Sequence, residues 1–179
     1  MLCDVIELRA LAPDDWPVWR ELRLAALAEA PYAFGSRLQD WQGEGDVEQR
    51  WRARLSIPNS YHVVAVVDGQ PVGLASGMPA DEEGVVELWS MWVSPAQRGR
   101  DVGNHLVRAV ERWAGRVRAR LLRLAVAEGN DSAIALYRRH GFRDTGRWEV
   151  MPDGVRREHV MVKLLGRRRR SSGAAPGGR

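Results

Sequence analysis

The sequence predicts an α/β (α+β) fold in which a mixed sheet is covered by helices. Two apolar runs flank Asp68-Gly69, a pair that favours the tight turn of a β-hairpin. Further along, strand patterns alternate with helix patterns, and the longest helical stretch repeats its apolar residues at helical spacing. Strand runs followed by strand, helix, strand and helix indicate one sheet with helices packed on it.

In the first half of the chain, the apolar pattern predicts two helices and four strands. Pro13-Asp14-Asp15 offers the start of a helix that ends by Pro31, and a second helix is expected over residues 48–55. Residues 32–42 are predicted to form a loop whose aromatic side chains either anchor the loop or line a ligand pocket. The strands are expected at residues 5–10, 62–67, 71–77 and 85–93.

In the second half, two helices alternate with strands. The helix predicted over residues 103–115 and just beyond carries one apolar stripe, as packing against a sheet requires. The stripe consists of Leu106, Val107, Val110, Trp113 and Val117. The second helix is expected over residues 130–140, with Gly141 as a left-handed cap. The remaining strands are expected at residues 121–126, 145–150 and 159–164.

Length and composition indicate a single domain over residues 1–165. The chain has 179 residues, of which 45% are hydrophobic and 28% charged, an ordinary balance for a soluble globular protein. No apolar run approaches the length of a membrane span and the N-terminus lacks a signal-peptide pattern, so we expect a cytoplasmic protein without a membrane partner. The single cysteine, Cys3, is expected to be a buried or idle thiol.

Residues 166–179 form an arginine-rich tail that we expect to be disordered. The formal net charge is +4, but Arg179 and the run at residues 167–170 supply five positive charges, which leaves 22 basic and 23 acidic residues elsewhere. The tail has no aromatic residue for base stacking. The nearly neutral body therefore argues against a nucleic-acid partner.

The segment at residues 97–103, Gln-Arg-Gly-Arg-Asp-Val-Gly, connects a predicted strand to a predicted helix. The first turn of a helix has unpaired N–H groups and the positive end of the helix dipole, and glycine lets a diphosphate approach the backbone. Arg98 and Arg100 add positive charge. The spacing fits neither the P-loop nor the dinucleotide-binding fingerprint. Alone, the segment fits either a phosphate site or a solvated basic turn.

Together with residues 87–93 and 130–142, this segment resembles the GNAT superfamily of N-acetyltransferases, over residues 5 to about 165. The resemblance implies a mostly antiparallel central sheet of six to seven strands flanked by about four helices. It also implies that acetyl-CoA is the cosubstrate and that its acetyl group moves to a primary amine by direct attack in a ternary complex. The amine is expected on a small molecule or a peptide, and a homodimer remains open.

One position departs from the family's loop pattern, Q/R-x-x-G-x-G/A. Arg98 and Gly103 occupy its outer positions, but Asp101 stands at the middle glycine. Aspartate enters the left-handed backbone region more readily than most residues. Its carboxylate would repel a diphosphate unless it points to solvent or pairs with Arg98 or Arg100. This departure keeps a second function open, a catalytically silent acyl-CoA-binding sensor.

The resemblance also implies the cofactor-binding residues. The backbone amides of Met91 and Val93 are expected to contact the pantetheine and acetyl portions of the cofactor. Asn130 would cap a helix on local rules, contact the pantetheine arm, or do both. The full expected set is Met91, Trp92, Val93, Arg98, Gly99, Arg100, Asp101, Val102, Gly103, Asn104, Asn130, Ala133 and Tyr137.

Tyr137 and Glu87 are the predicted catalytic residues. Tyr137 matches the family's tyrosine that reprotonates the thiolate. A phenol can make this proton transfer. Helical spacing alone would instead place Tyr137 in the core. Glu87 is the first candidate for the base that deprotonates the amine, and Glu128 or Glu149 could substitute. If Glu87 faces away from the pocket, it is only a charge at the strand edge.

The histidines suggest no metal site. His62, His105, His140 and His159 lack the HExxH or Cys/His spacing of metal ligands, so no metal is expected. The acceptor pocket is expected from residues 32–51 and 147–157. The mixture of tryptophan, acidic and basic residues in these segments fits many amines.

Overall fold

Seven strands form one sheet in the order β1-β2-β3-β4-β5-β7-β6. The computed structural model describes residues 5–166, so Cys3 and residues 167–179 of the predicted tail lie outside the described residues. Every neighbouring pair is antiparallel except β4 and β5, which are parallel. The strands are β1 (Ile6–Ala10), β2 (Tyr61–Val67), β3 (Gln70–Pro79), β4 (Val85–Val93), β5 (Leu121–Ala127), β6 (Arg143–Val150) and β7 (Arg157–Leu164).

Four α-helices cover the sheet in the described part of the chain. They are α1 (Trp16–Glu29), α2 (Glu48–Leu55), α3 (Val102–Arg116) and α4 (Asp131–Arg139). The predicted fold class is confirmed. The predicted stripe of α3 is buried except at its last member, because Val117 follows the final turn and is 47% exposed. The prediction for Val117 was therefore wrong.

The two faces of the sheet hold two apolar clusters. On one face, α1 and α2 pack their indole rings, Trp19 and Trp51, against Val64 and Leu74. On the other face, α3 and α4 form the larger cluster with Val63 and with the other strand residues whose side chains point to that face. Successive side chains of a strand point to opposite faces, so the apolar run of β2 serves both clusters.

The predicted loop at residues 32–42 contains short 3₁₀ turns, Pro31–Ala33 and Leu38–Trp41, and lies between α1 and α2. Trp41 packs against Trp51 of α2, with ring centroids 4.6 Å apart. This contact anchors the loop beside the sheet. Among the described residues, none of the helices combines the length and apolar character needed to traverse a lipid bilayer.

A bulge in β4 opens the centre of the sheet. The register runs from Leu74 opposite Trp92 to Ser76 opposite Trp89, so β4 has one residue more than β3, and Ser90 takes a left-handed φ of 56°. The parallel ladder of β4 with β5 covers only three pairs, which begin at Val85 and end at Glu87. Beyond Glu87 the two strands separate and leave a gap between them.

Candidate active site

A cavity of about 1280 Å³ fills the gap between β4 and β5. Its walls come from the second half of β4, the start of α3, one face of α4, the loop after α1 and the strands β6 and β7. This volume exceeds that of most small-molecule pockets and suits an extended ligand together with a second reactant.

The turn before α3 exposes backbone amides to this cavity. Gly99 and Asp101 both have left-handed backbones, with φ values of 78° and 68°. The N–H of His105 makes the bond to the carbonyl of Asp101, 3.2 Å away, which leaves the amides of the three preceding residues without an acceptor inside the helix. These amides belong to Val102, Gly103 and Asn104, although the side chain of Val102 is buried in the core.

Gly103 lets the helix approach its neighbours closely. A Cβ at this position would lie 3.2 Å from Cδ2 of Leu136 on α4 and 3.6 Å from Cε of Met91 on β4. The start of α3 therefore sits against both elements that wall the cavity. Free amides at a positive helix end, without a side chain in front of them, fit the diphosphate of a nucleotide cofactor.

The carboxylate of Asp101 lies beside α3. It accepts a hydrogen bond from Nδ2 of Asn104, and Oδ2 is 3.2 Å from Nδ1 of His105. The carbonyl of the Asn104 side chain in turn lies 2.9 Å from Nε2 of His140. The side chain of Asp101 is 52% exposed at the edge of the turn before α3.

The charge of Arg98 is directed at Glu29, the last residue of α1. Nη2 and Nη1 donate to the two carboxylate oxygens at 2.7 and 3.2 Å, and Nε donates to the carbonyl of Val93 at 3.1 Å. Trp92 adds a hydrogen bond to the same carboxylate at 3.0 Å. The bonds from Arg98 and Trp92 hold the pKa of Glu29 below its usual value. Of the alternatives left open for Asp101, a pair with Arg98 is therefore not formed, because Arg98 pairs with Glu29.

Sequence reasoning missed Glu29, although one signal was present. An acidic residue in the last turn of a helix faces the negative end of the helix dipole. Such a position is unfavourable unless the carboxylate has a cationic partner. Glu29 has that partner in Arg98.

The backbone of β4 points towards the cavity at alternate residues. The N–H of Ser94 donates to the carbonyl of Val72 in β3, at 2.8 Å. Because backbone groups alternate in direction along a strand, those of Val93 and Met91 point away from β3, towards the gap. Met91, Trp92 and Val93 all line the cavity. The ring of Trp92 also packs in the apolar cluster of α1 and α2.

Helix α4 contributes Tyr137, Asn130 and Ala133 to the cavity wall. Tyr137 is 6% exposed, and burial raises the pKa of its phenol. Its ring packs against Phe142 with centroids 5.7 Å apart. Asn130 caps the helix through a hydrogen bond that its side chain accepts from the amide of Ala133 at 3.4 Å. The capping role is therefore present, and the position beside the cavity is as expected.

Glu87 faces the cavity and is not a free charge at the strand edge. Its carboxylate accepts hydrogen bonds from Nε of Arg123, at 2.8 Å, and from Nε1 of Trp89, at 2.9 Å. Of the substitutes, Glu128 forms an ion pair with Arg157 at 3.0 Å. The other substitute, Glu149, lines the cavity.

Glu158 is a further carboxylate that the sequence did not single out. It lies directly opposite Glu149 in the β6–β7 ladder and lines the cavity. Burial raises the pKa of Glu158, and the charge of Glu149 raises it further. A carboxylate with a raised pKa holds and releases protons nearer to neutral pH than an exposed one.

Two arginines also line the cavity. They are Arg23 of α1 and Arg54 of α2. Arg23 is 9% exposed. The sequence signal for it was a charge on an apolar helix face, because Arg23 stands at helical spacing between Trp19 and Leu27. Residues 5–166 gather no group of three His, Cys, Asp or Glu side chains that could hold a metal ion.

Sequence comparisons identify related proteins. A model of the acetyltransferase (GNAT) family matches residues 16–142. N-alpha-acetyltransferase RimI of Mycobacterium tuberculosis is 34% identical over 94 residues, which cover 51% of this chain and 58% of that protein. IAA acetyltransferase of Azospirillum brasilense is 33% identical over 92 residues, 51% of this chain and 60% of that protein. The matched region is thus less than two thirds of either relative's length.

Solved structures share the fold over most of the chain. A GCN5-related N-acetyltransferase from Kribbella flavida is 28% identical, with a TM-score of 0.69 over 89% of this chain and 98% of that one. The PaiA N-acetyltransferase from Thermoplasma acidophilum, solved in complex with coenzyme A, is 17% identical. Its TM-score is 0.70 over 90% of this chain and 99% of that one.

Proposed function

The chain belongs to the acetyltransferase (GNAT) family, and we propose that it transfers an acetyl group from acetyl-CoA to a primary amine by direct attack in a ternary complex. The observation that carries the proposal is the left-handed turn before α3, which presents free amides at one end of the gap between β4 and β5. The complex of PaiA with coenzyme A, a protein of the same fold, supports this choice of cosubstrate.

We assign groups of the chain to the diphosphate and to the pantetheine arm of the cosubstrate. The amides of Val102, Gly103 and Asn104 would hold the diphosphate, since they lack acceptors within the helix. The backbone of Met91 and Val93 would bind the pantetheine arm along the open edge of β4. Asn130 and Ala133 would flank this arm from α4. Acetyl-CoA, when bound, supplies a thioester carbonyl that an amine can attack.

Tyr137 is proposed to donate a proton to the departing sulfur. Burial raises the pKa of its phenol, so the proton is present at neutral pH. The acceptor amine must be neutral to attack, and a carboxylate of the cavity would take its proton, directly or through water. Glu87 is the first candidate by position, and Glu158 joins it because of its raised pKa.

Calorimetric titration of acetyl-CoA into the full chain tests the cosubstrate. We expect micromolar binding, equivalent to about −8 kcal/mol. A panel of primary amines with a thiol-release assay then tests transfer. Absence of acetyl-CoA binding would contradict the proposed cosubstrate and therefore the proposed transfer reaction. Binding without thiol release from any amine of a broad panel would instead support the silent sensor.

A further inference from the structure

Arg23 is a buried cation without a hydrogen-bonded anion. Its side chain lines the cavity from α1, yet only 9% of the residue is exposed, and Nη1 has no hydrogen-bond partner among residues 5–166. Its guanidinium lies 4.5 Å from the ring centroid of Phe34, a contact that offsets only part of the lost hydration. Burial lowers its pKa to about 10, so Arg23 still carries its charge at neutral pH.

Arg54 places a second positive charge beside the first. It ends in the same cavity, lies 5.3 Å from the ring centroid of Trp89 and contacts only a neutral hydroxyl, that of Ser90, at 3.5 Å. Its charge lowers the pKa of Arg23 after the larger effect of burial, and burial lowers the pKa of Arg54 as well. Two like charges therefore line the same cavity, with Arg23 buried and Arg54 partly buried.

No carboxylate within residues 5–166 lies at ion-pair distance from either guanidinium. Glu87, which lines the cavity at β4, pairs with Arg123. Glu29, at the end of α1, pairs with Arg98. Other arginines of the described chain that are half-buried do form ion pairs, as Arg20 does with Asp46 and Arg123 with Glu87. A buried and uncompensated pair of cations costs stability, and proteins hold such groups where a ligand supplies the counter-charge.

We propose that Arg23 and Arg54 bind an oxyanion of the acceptor substrate, so that the substrate is an amine that also carries a carboxylate or a phosphate-like group. This inference rests on the proposed acetyltransferase function and adds the substrate class. Guanidinium groups match the geometry of both oxyanions through paired N–H donors. The rings of Phe34 and Trp89 leave apolar space beside the site for the linking carbon atoms of the substrate.

Turnover of matched acceptors tests the proposal. Straight-chain amino carboxylates of increasing length are each compared with their amide and with their phosphonate. We expect the best anionic acceptor to exceed its amide in kcat/KM by about 10- to 100-fold, the range for a charged hydrogen bond, and the carboxylate and phosphonate arms identify the oxyanion. Arg23→Gln and Arg54→Gln should each remove most of this preference without weakening acetyl-CoA binding. Equal rates for the acid and its amide at every length would overturn the proposal.

Arg37→Gln is the matched control. Arg37 lies in the adjoining loop, its side chain is 70% exposed, and it pairs with Asp40. The preference for the anionic acceptor should survive this substitution. If Arg37→Gln removed the preference as fully as Arg23→Gln, the general positive charge of the region would explain the effect and the assigned site would be wrong.

An equilibrium measurement separates this inference from the transferase proposal. Benzoate, phenylphosphonate and benzamide are titrated into the wild type and into Arg23→Gln by calorimetry. We expect an aromatic oxyanion to bind the wild type at least about tenfold more tightly than benzamide, and the variant to lose that difference. This result would support the oxyanion site even if acetyl-CoA failed to bind. Equal affinities for benzoate, phenylphosphonate and benzamide would reject the site even if acetyl-CoA bound.

Discussion

The guanidinium of Arg98 forms two parallel hydrogen bonds with the carboxylate of Glu29, across 69 residues of sequence. This pair attaches the end of α1 to the turn that opens α3. We expect Glu29→Gln to weaken acetyl-CoA binding several-fold, since the turn loses its anchor, and to change the free energy of unfolding by less than about 1 kcal/mol, since the pair is partly exposed.

Calorimetry and urea unfolding of Glu29→Gln check this expectation, with the exposed Glu21→Gln of α1 as the control. Tighter acetyl-CoA binding in Glu29→Gln would contradict it. That result would mean that Arg98, once released, contacts the diphosphate itself.

Asp101→Asn isolates the charge at the turn that is proposed to bind the diphosphate. Asparagine also enters the left-handed region, so the backbone at a φ of 68° is retained while the carboxylate is removed. We expect acetyl-CoA affinity to rise by about fivefold, because a like charge near the diphosphate costs about 1 kcal/mol in water. The gain should shrink at high salt. Calorimetry at two salt concentrations measures both effects, and equal affinities would show that Asp101 does not repel the cofactor.

Tyr137→Phe tests proton donation to the thiolate. The ring and its packing on Phe142 remain, so acetyl-CoA affinity should be unchanged, while kcat should fall by about 100-fold. Because burial raises the pKa of Tyr137, its ionisation should not reduce wild-type kcat below about pH 10. Steady-state kinetics across pH measure both expectations. An unchanged kcat in Tyr137→Phe would remove Tyr137 from the reaction.

Gly77→Ala tests the packing of α3 on β3. A Cβ at Gly77 would overlap the indole ring of Trp113, so the helix must move, and we expect a loss of about 2 kcal/mol in unfolding free energy. Gly115→Ala is the control. Gly115 lies in α3, the helix that carries Trp113, and nothing lies within 4 Å of its added Cβ. That substitution should stabilise the protein by about 0.5 to 1 kcal/mol. Urea unfolding should give opposite signs for the two variants.

His62 should make stability depend on pH. Its ring is buried between the hydroxyls of Ser60 and Ser76, and burial lowers its pKa to about 4, with a smaller effect of Arg54. The unfolded chain therefore binds a proton more readily between pH 6.5 and 4, and stability falls as pH falls through this window. We expect a contribution of about 2 kcal/mol between pH 7 and pH 5, and His62→Gln should remove it. Unfolding curves of both proteins that show the same pH dependence would contradict this.

The sequence predicted features that local chemistry determines. Asp68 and Gly69 both have positive φ values in the observed hairpin, as a tight turn between twisted strands requires. The bounds predicted for α2 and β4 agree with those observed. The apolar pattern of each element begins and ends within one continuous stretch of the sequence. Asn130 and Gly141 likewise end α4 as predicted, through a side-chain cap and a left-handed residue.

Features that depend on distant segments could not be predicted from the residues alone. The bulge at Ser90 lies in a mostly apolar strand pattern, and no residue in that pattern requires a left-handed backbone. The separation of β4 from β5 depends on how distant strands pair, which local patterns do not specify. The partner of Glu29 and the closeness of Arg23 to Arg54 depend on how α1 and α2 pack, which periodicity does not specify. The assigned roles of Tyr137, Glu87 and the amides of α3 stay predictions.

The short ladder between β4 and β5 also affects how the sheet transmits force and where it opens. Three backbone pairs connect an antiparallel half, β1 to β4, with a second half, β5 to β7, so side chains from both halves must hold the joint. Amide hydrogens on the facing edges beyond Glu87 lack ladder partners and should exchange with solvent before those of β2 and β3. A ligand in the gap would contact both halves and hold them together. It would slow this exchange in proportion to the fraction of the protein that has ligand bound.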